Sequence, residues 1–272
     1  MKLPRESKPR GRRVSAVDAR EFYDELGDRY DVMVAWEERL SREAEFFRRL
    51  FDAHGVSRVL DAACGTGMHA IAFARQGRRC AAADVSPAMI DRARENARRA
   101  DVEVDLRVAG FGELARSFEG GFDAVTCLGN SLPHLLEDEG LAKALADFAG
   151  VLAPGGIVVI QNRNYDRLPA SGGRSVHLNA RQEADGETLF VRMTEPRGGE
   201  NLDFTILTLK KRGGAWRHTL QTTPLRAISR DTMERALGAA GFQSVEVYGD
   251  YSRAAFGAPG TGDLVAIAAR RA

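Results

Sequence analysis

The chain has 272 residues and a formal net charge of +1, with 44% hydrophobic and 28% charged residues. This composition is typical of a globular protein with a substantial core, and no apolar stretch approaches the roughly 20 residues of a membrane span. The N-terminus, MKLPRESKPRGRRVS, lacks the apolar stretch that makes a signal peptide. Cys64, Cys80 and Cys127 have neither disulfide nor zinc spacing, so we expect a reducing cytoplasm and no metal site.

The charge is unevenly placed along the chain. Residues 1–13 hold six Lys or Arg and one Glu and carry +5, while the remainder has 33 basic and 37 acidic residues and carries −4. A basic tail can bind nucleic acid or an anionic surface, but a solvated, disordered leader over residues 1–17 is the simpler interpretation. The acidic body argues against a nucleic-acid groove, so we expect no nucleic-acid partner.

The predicted elements begin with helices and continue as an alternation. Residues 16–53 indicate two helices, the second closed by Gly55. Five strands then alternate with helices: SRVLDAAC, RCAAADV, VEVDLRVAG, FDAVTCLG and GIVVIQN. Ser86 and Pro87 predict the start of one of these helices, and Pro154-Gly155-Gly156 predicts the end of another. Such an alternation implies a parallel sheet with helices on both faces, the doubly wound α/β class.

A β-rich segment interrupts this alternation. Four β-rich runs between residues 174 and 227 are separated by turn signals and predict an antiparallel insertion. The chain then returns to a helix capped by Ser229 and to two final strands, FQSVEVYG and DLVAIAARR. We therefore predict a leader, N-terminal helices with the α/β core, the insertion, and the end of the core, over residues 1–17, 18–173, 174–227 and 228–272. A sheet of this class binds its ligand beyond the carboxyl ends of its strands.

The loop after the first predicted strand, in VLDAACGTGMHA, indicates a cofactor site. Gly65 and Gly67 let the backbone approach a ligand closely, and Asp84 after the second strand can accept two ribose hydroxyls. Asp61 would repel the pyrophosphate of a dinucleotide but would favour the ammonium and sulfonium groups of S-adenosylmethionine. The alternative is a tight strand-to-helix turn without a ligand. We favour the methyl donor because both acids and both glycines occur together.

VLDAACGTG together with Asp84 resembles the first two motifs of the class I S-adenosylmethionine-dependent methyltransferases. The resemblance implies a Rossmann-like, mainly parallel seven-stranded sheet with a reversed last strand, and it implies cofactor contacts from Ala63 and Met89. Many of these enzymes place an acidic or amide residue after the third strand to bind adenine. Here that segment is VAGFGEL, with Gly110 and Phe111. Phe111 can pack on the ring face, so the polar contact must come from elsewhere.

CLGNSLPHLL and the later RNYD narrow the resemblance to the glycine and sarcosine N-methyltransferases. FYDELGDRY and LSREAEF also resemble that family's cofactor-covering helices. The resemblance implies that Tyr23 and Arg42 contact the donor, with the Arg42 guanidinium paired to the methionine carboxylate. It further implies that Leu128 and His134 line the cofactor side of the site.

The acceptor side of this resemblance carries over only in part. Asn130 would orient the acceptor amine, and Arg163 would bind an acceptor carboxylate. From the residues alone, Asn130 can instead shape a turn, His134 can simply pack, and Arg163 can form a salt bridge with Asp166. The tyrosines that the family places around the acceptor are replaced here by Gln221-Thr222-Thr223-Pro224 and Ser252-Arg253-Ala254, which predicts a more polar and larger pocket beside the insertion.

The predicted reaction is methyl transfer to the nitrogen of a small amine that also carries an anionic group. An amine only has to lose a proton before attack, and the sequence shows no clear acid–histidine pair or metal cluster to activate a hydroxyl. The alternatives are methylation of another small metabolite, such as an amino sugar or a hydroxylated natural product, methylation of nucleic acid, and S-adenosylmethionine binding without catalysis. The family resemblance leaves a homo-oligomer open.

Overall fold

The computed structural model describes residues 17–27, 29–167, 173–184 and 186–271, so the predicted leader lies outside the described residues apart from Val17. Within them, three helices precede the sheet: α1 (Ala19–Leu26), α2 (Arg29–Val34) and α3 (Trp36–Ala53). The sequence predicts two helices here, and the first of them is divided. Gly27 ends α1 because it adopts a positive φ of 48° and donates its N–H to the carbonyl of Tyr23.

Eleven strands lie in the described ranges, and they form two sheets. The strands are β1 (Arg58–Ala62), β2 (Arg79–Asp84), β3 (Val104–Val108), β4 (Phe122–Cys127), β5 (Leu152–Arg163), β6 (Ser175–Glu183), β7 (Gly186–Gly198), β8 (Asn201–Arg212), β9 (Ala215–Arg226), β10 (Phe242–Tyr248) and β11 (Asp263–Arg270). The central sheet has the order β10–β11–β5–β4–β1–β2–β3. β11 runs antiparallel to β5 and β10, and the other neighbours are parallel. The predicted parallel sheet with a reversed last strand is confirmed.

The helices that follow the first three are α4 (Met68–Arg75), α5 (Pro87–Ala100), α6 (Leu114–Ser117), α7 (Asp138–Val151) and α8 (Arg230–Ala239). One buried cluster joins α7 and α8 to the sheet through residues such as Phe148 and Met233. Another cluster joins α3 and α4 to it through Phe47 and Phe73. No helix in the described part of the chain is long and apolar enough to cross a membrane.

Two of the helix starts follow the predicted capping residues. Ser86 Oγ accepts from Met89 N at 3.0 Å, and Ser229 Oγ accepts from Thr232 N at 3.2 Å. The helix predicted to stop before Pro154-Gly155-Gly156 is α7, which ends at Val151. The tripeptide forms an irregular start to β5, where the pairing with β4 shifts register.

The antiparallel sheet, β6–β7–β8–β9, packs against the N-terminal helices. Phe22 of α1 is fully buried among Phe190, Phe204 and Ile206 of this sheet. The backbone N–H of Val17 also donates to the carbonyl of Thr222 on β9 at 3.0 Å. The N-terminal helices and the second sheet are therefore held together, and both contribute residues to the site at the carboxyl ends of the central strands.

Candidate active site

Among the described residues, two adjoining cavities lie at the carboxyl ends of the central strands. The larger has a volume of about 370 Å³ and the smaller a volume of about 80 Å³. Their walls share Tyr23 on α1, Tyr30 on α2, and Gly129 and His134 after β4. Because the walls are shared, groups bound in the two cavities can meet, as transfer between two ligands requires.

Asp84 ends β2 and lines the larger cavity. Its carboxylate accepts hydrogen bonds from Gly65 N at 2.8 Å and from Ser86 N at 2.9 Å. Burial nevertheless raises the pKa of Asp84 to about 6. A carboxylate has lone pairs for about four hydrogen bonds, so Asp84 can still accept the two hydroxyls of a ribose.

The glycine loop brings the backbone close to this cavity. Gly65 lines the larger cavity. Gly67 has a φ of 77°, and a Cβ at this position would lie 2.9 Å from the Cβ of Ala93 on α5. Gly67 therefore permits the close packing of α4 against α5 and lies behind the cavity wall.

Asp61 lies at the end of β1 with only 1% of its surface exposed. Its Oδ1 accepts from Thr126 Oγ1 at 2.7 Å, but its Oδ2 has no hydrogen-bond partner among the residues that the structure describes. Burial raises the pKa of this carboxyl group. A buried carboxylate oxygen without a partner favours a cation or a donor nearby. Asp61 lines neither cavity, so its charge would act on the ammonium end of S-adenosylmethionine from behind the wall, whereas Asp84 on the wall suits the ribose.

The remaining predicted cofactor residues divide between the cavity wall and the core. Four of them line the larger cavity: Tyr23, Ala63, Gly110 and Phe111. Met89 and Leu128 line neither cavity and are 1% and 4% exposed. Leu128 packs in the cluster that joins α3 and α4 to the sheet. These two side chains therefore pack behind the residues that line the site.

Arg42 is exposed on α3 and lines neither cavity, so the structure does not place it at the cofactor site. Arg39 lines the smaller cavity instead, and its Nη1 would lie 3.7 Å from a Cβ on Gly129. Arg39 precedes the buried Glu43 by four residues and shares its inward face of the helix. The side chain of Arg42 leaves the helix about 100° around its axis from that of Glu43 and faces solvent.

A buried ion network holds Arg39 in place. Arg39 Nε donates to Glu43 Oε1 at 2.8 Å, and His69 Nε2 lies 2.7 Å from Glu43 Oε2. Burial opposes ionisation of Glu43, but hydrogen bonds and charge from His69 and Arg39 lower its pKa. The structure thus contains an acid–histidine pair that the sequence did not reveal. Neither Glu43 nor His69 lines a cavity, so the pair supports Arg39 and is not a proton acceptor for a ligand.

Glu113 supplies an acidic group after β3 that the sequence analysis did not assign to the site. Its side chain lines the larger cavity, and its Oε2 accepts from Gly110 N at 2.8 Å. It lies two residues beyond Phe111 in the same VAGFGEL segment. Many class I methyltransferases place an acidic or amide residue after the third strand, and Glu113 is the first acidic residue after β3. The sequence could therefore have indicated Glu113.

Asn130 lines the smaller cavity. Its backbone is in the left-handed conformation, with a φ of 70°. Its Oδ1 accepts from Arg163 N at 2.9 Å, and the Tyr165 hydroxyl lies 3.0 Å from Oδ1 and 2.8 Å from Nδ2. Both amide atoms therefore already bind the end of β5. One amide hydrogen stays available to a ligand, and the amide also fixes where Arg163 leaves the strand.

Arg163 and Arg192 both line the smaller cavity. The Arg163 guanidinium lies 6.0 Å from the centre of the Phe204 ring, and no carboxylate of the described ranges is in ion-pair contact with it. Asp166, the alternative partner, instead accepts from the backbone N of Arg230 at 3.2 Å. Arg192, which lies on β7, was not predicted, because residue spacing gives no sign that it faces the site.

His134 lies where the two cavities meet. Its Nε2 is 3.3 Å from the Tyr23 hydroxyl, and its Nδ1 is buried without a partner among the described residues. Burial lowers the pKa of His134 to about 4, so the ring is neutral near pH 7. A base with so low a pKa accepts protons poorly at that pH. The ring therefore shapes and desolvates the junction.

The smaller cavity has the polar side chains that the sequence predicts, together with an apolar part of its wall. Its volume is only about 80 Å³, and apolar side chains contribute much of the wall: Met33, Val34, Phe204, Ile206 and Leu225. Gln221 does not line it and instead donates to Glu25 Oε2 at 2.7 Å. α2, β8 and the end of β9 supply this apolar part of the wall, and a pocket larger than that of the family stays a prediction.

Residues 59–156 match the family model of a methyltransferase domain. The chain is 36% identical over 236 residues to a glycine/sarcosine N-methyltransferase of Parasynechococcus marenigrum (strain WH8102), covering 86% of this chain and 79% of the relative. It is 33% identical to the glycine/sarcosine N-methyltransferase of Aphanothece halophytica, covering 85% and 83%.

A solved structure shares this fold. It is an amino pentose methyltransferase from Micromonospora echinaspora with S-adenosylmethionine bound, which is 25% identical with a TM-score of 0.66. The match covers 85% of this chain and 91% of that one. The relatives by sequence are N-methyltransferases, and the solved structure binds S-adenosylmethionine.

Proposed function

Because the chain belongs to the glycine/sarcosine N-methyltransferase family of S-adenosylmethionine-dependent enzymes, we propose that it methylates the nitrogen of a small amine that carries a carboxylate. S-adenosylmethionine is the methyl donor and occupies the larger cavity. The acceptor occupies the smaller cavity. Its amino group lies toward the junction at Gly129 and His134, and its carboxylate lies toward Arg163.

The observation that carries this proposal is the guanidinium of Arg163, which forms no direct ion pair with a described residue and lines a small cavity adjoining the cofactor cavity. A half-buried arginine without a carboxylate partner favours an anionic ligand. A volume of about 80 Å³ suits an acceptor of the size of glycine. It is far below the 300 Å³ or more that is typical of pockets for drug-sized ligands. An amino sugar is therefore a poorer fit, although a solved relative acts on an amino pentose.

The residues of the site serve alignment more than proton transfer. The lone pair of the amine nitrogen forms the new N–C bond while the methyl–sulfur bond breaks and its electron pair remains on sulfur. The nitrogen then releases a proton to solvent. Arg163 holds the carboxylate, Asn130 fixes Arg163, and His134 and Tyr23 exclude water from the junction. Alignment of this kind contributes on the order of 7–11 kcal/mol in favourable cases.

We also propose that the acceptor is not a nucleic acid and that the enzyme works in a reducing compartment. The enclosed volume of the smaller cavity cannot admit a nucleotide of a polymer. Cys64, Cys80 and Cys127 are all free thiols, and burial raises the pKa of each. Such thiols suit the reducing interior of a cell.

The test is release of S-adenosylhomocysteine from purified protein supplied with glycine, sarcosine, dimethylglycine, an amino sugar or a phenol, with a blank that lacks acceptor. We expect turnover on the glycine series. Arg163→Ala should lower kcat/KM there by about 100-fold or more, because it removes the guanidinium that holds the acceptor carboxylate in line with the methyl donor. The Arg163→Ala variant should bind S-adenosylhomocysteine as tightly as the wild type, because Arg163 does not line the larger cavity. Turnover of the amino sugar alone would refute the proposal.

A further inference from the structure

Arg192 is a second guanidinium at the wall of the smaller cavity, and its charge is poorly compensated. Its Nη2 donates to Asn179 Oδ1 at 2.9 Å, which is a neutral acceptor. Its Nε is buried and has no partner in the described residues. Burial and then the charge of Arg163 lower the pKa of Arg192 to about 10, so it stays protonated at neutral pH.

The register of the antiparallel sheet directs Arg192 toward the acceptor. Arg192 on β7 pairs with Ile206 on β8 and with His177 on β6. Directly paired residues project from the same face of a sheet, and Ile206 lines the smaller cavity as well. Burial, followed by the charges of Arg163 and Arg192, lowers the pKa of His177, which keeps this ring neutral at neutral pH. The face toward the cavity therefore presents Arg192 as a cation beside a neutral imidazole.

The wall of the cavity carries a net positive charge before an acceptor binds, offset in part by Asp263, a carboxylate behind the wall that pairs with Arg163 across β11 and β5. Three arginines line the cavity: Arg39, Arg163 and Arg192. Arg39 is neutralised by Glu43, and no acidic residue of the described ranges lines the cavity. A single carboxylate neutralises one of the two remaining guanidiniums. The other would stay half-buried beside a bound ligand without a counter-ion, which costs free energy.

We propose that the preferred acceptor is an amine that carries two negative charges, with Arg163 and Arg192 sharing them. This inference rests on the proposed N-methylation and adds the charge class of the substrate. Two kinds of small amine have this chemistry, a short aminoalkyl phosphonate or phosphate and an amino dicarboxylate. The volume of about 80 Å³ suits the shorter of each kind.

The experiment compares acceptors that differ in charge but little in size. Glycine and aminomethylphosphonate have the same amine-to-anion spacing, but the phosphonate carries one more negative charge when fully ionised. Aspartate carries the second charge on a separate carboxylate. We expect kcat/KM of the wild type to be higher for aminomethylphosphonate or for aspartate than for glycine, and the better of the two identifies the source of the second charge. Preference for glycine over both compounds would overturn the inference.

Variants assign the preference to Arg192. Arg192→Met keeps the aliphatic stem and removes the charge. It should lower the ratio of kcat/KM for the dianionic amine to that for glycine by about 10- to 100-fold, the range for a hydrogen bond between charged groups. Arg192→Lys should restore part of the ratio because it keeps a point charge. An unchanged ratio in Arg192→Met would also overturn the inference.

A matched control removes one positive charge from the same strand away from the cavity. Arg197 is an exposed residue of β7 that lies 3.5 Å from Asp203. Arg197→Met should leave the ratio as it is in the wild type. If it changed the ratio as much as Arg192→Met does, the effect would be one of net charge and the inference would fail.

Calorimetric binding to the protein loaded with S-adenosylhomocysteine separates this inference from the proposed function. Aminomethylphosphonate should bind more tightly than glycine in the wild type, and Arg192→Met should remove the difference. If that result appears without turnover of any amine, the proposed N-methylation fails while the dianion site stands. If glycine is methylated and neither dianionic amine binds more tightly than glycine, the proposed function stands and the dianion site fails.

Discussion

At the scale of single residues, Asp84 is a carboxylate whose ionisation depends on pH in the working range of many enzymes. Burial raises its pKa to about 6 in the free protein. The ionised form accepts ribose hydroxyls, and the protonated form accepts them less well. We therefore predict that affinity for S-adenosylhomocysteine is constant above about pH 7 and falls by about tenfold near pH 5, one unit below the pKa.

Titration calorimetry between these pH values tests this prediction. Asp84→Asn serves as the control. This variant should bind S-adenosylhomocysteine weakly, and its affinity should not fall further as the pH is lowered. An affinity of the wild type that stays flat through this range would show that Asp84 does not titrate or does not bind the cofactor.

The two arginines of α3 show what sequence resemblance can miss at this scale. Arg39 and Arg42 are three residues apart, and the LSREAEF motif favours Arg42. The structure brings Arg39 to the cavity, where Glu43 binds it and His69 in turn binds Glu43. His69, which helps to fix Glu43, comes from α4 and is distant in the sequence.

At the scale of elements, one buried carboxylate on α3 joins this helix to α4. Glu43 is 5% exposed and bonds Arg39 and His69. Glu43→Ala would leave a buried guanidinium without a counter-ion, so we predict a loss of about 3–5 kcal/mol in the free energy of unfolding. Urea denaturation measures it.

Glu45→Ala is the matched control on the same helix. Glu45 bonds Arg48 and Arg49 at the surface, where solvent screens the charges, so this variant should unfold like the wild type. Equal stability of the two variants would mean that the buried network contributes nothing to holding α3.

At the scale of the whole molecule, two buried groups give opposite pH dependences of stability. Burial lowers the pKa of His134 to about 4, so the unfolded chain binds more protons below about pH 6.5 and stability falls as the pH falls toward 4. Asp84 has a raised pKa of about 6, so the folded chain holds its proton more tightly and stability falls as the pH rises from about 4 to 6. Each effect is worth about 3 kcal/mol and they offset one another.

Comparison with His134→Gln isolates the effect of His134, because Asp84 is present in both proteins. We predict that the free energy of unfolding of the wild type minus that of His134→Gln rises by about 3 kcal/mol as the pH increases from about 4 to 6.5. Chemical denaturation across this range measures the difference. A difference that does not change with pH would show that His134 is not desolvated in the folded protein.

Much of this protein is determined by its sequence alone. Strand and helix periods, the caps at Ser86 and Ser229, and the segment with Gly65, Gly67 and Asp84 are local patterns, so the sheet and the cofactor loop could be predicted. Each of these patterns depends on the types and spacing of residues that are close together in the sequence.

Only the tertiary structure decided the acceptor side. Arg39 and Arg192 reach the smaller cavity because helices and strands distant in sequence pack around them. The size of the smaller cavity depends likewise on α2 and the second sheet, which fill the space beside Arg163. Side-chain direction and the volume left between elements are properties of packing, and no local pattern encodes them.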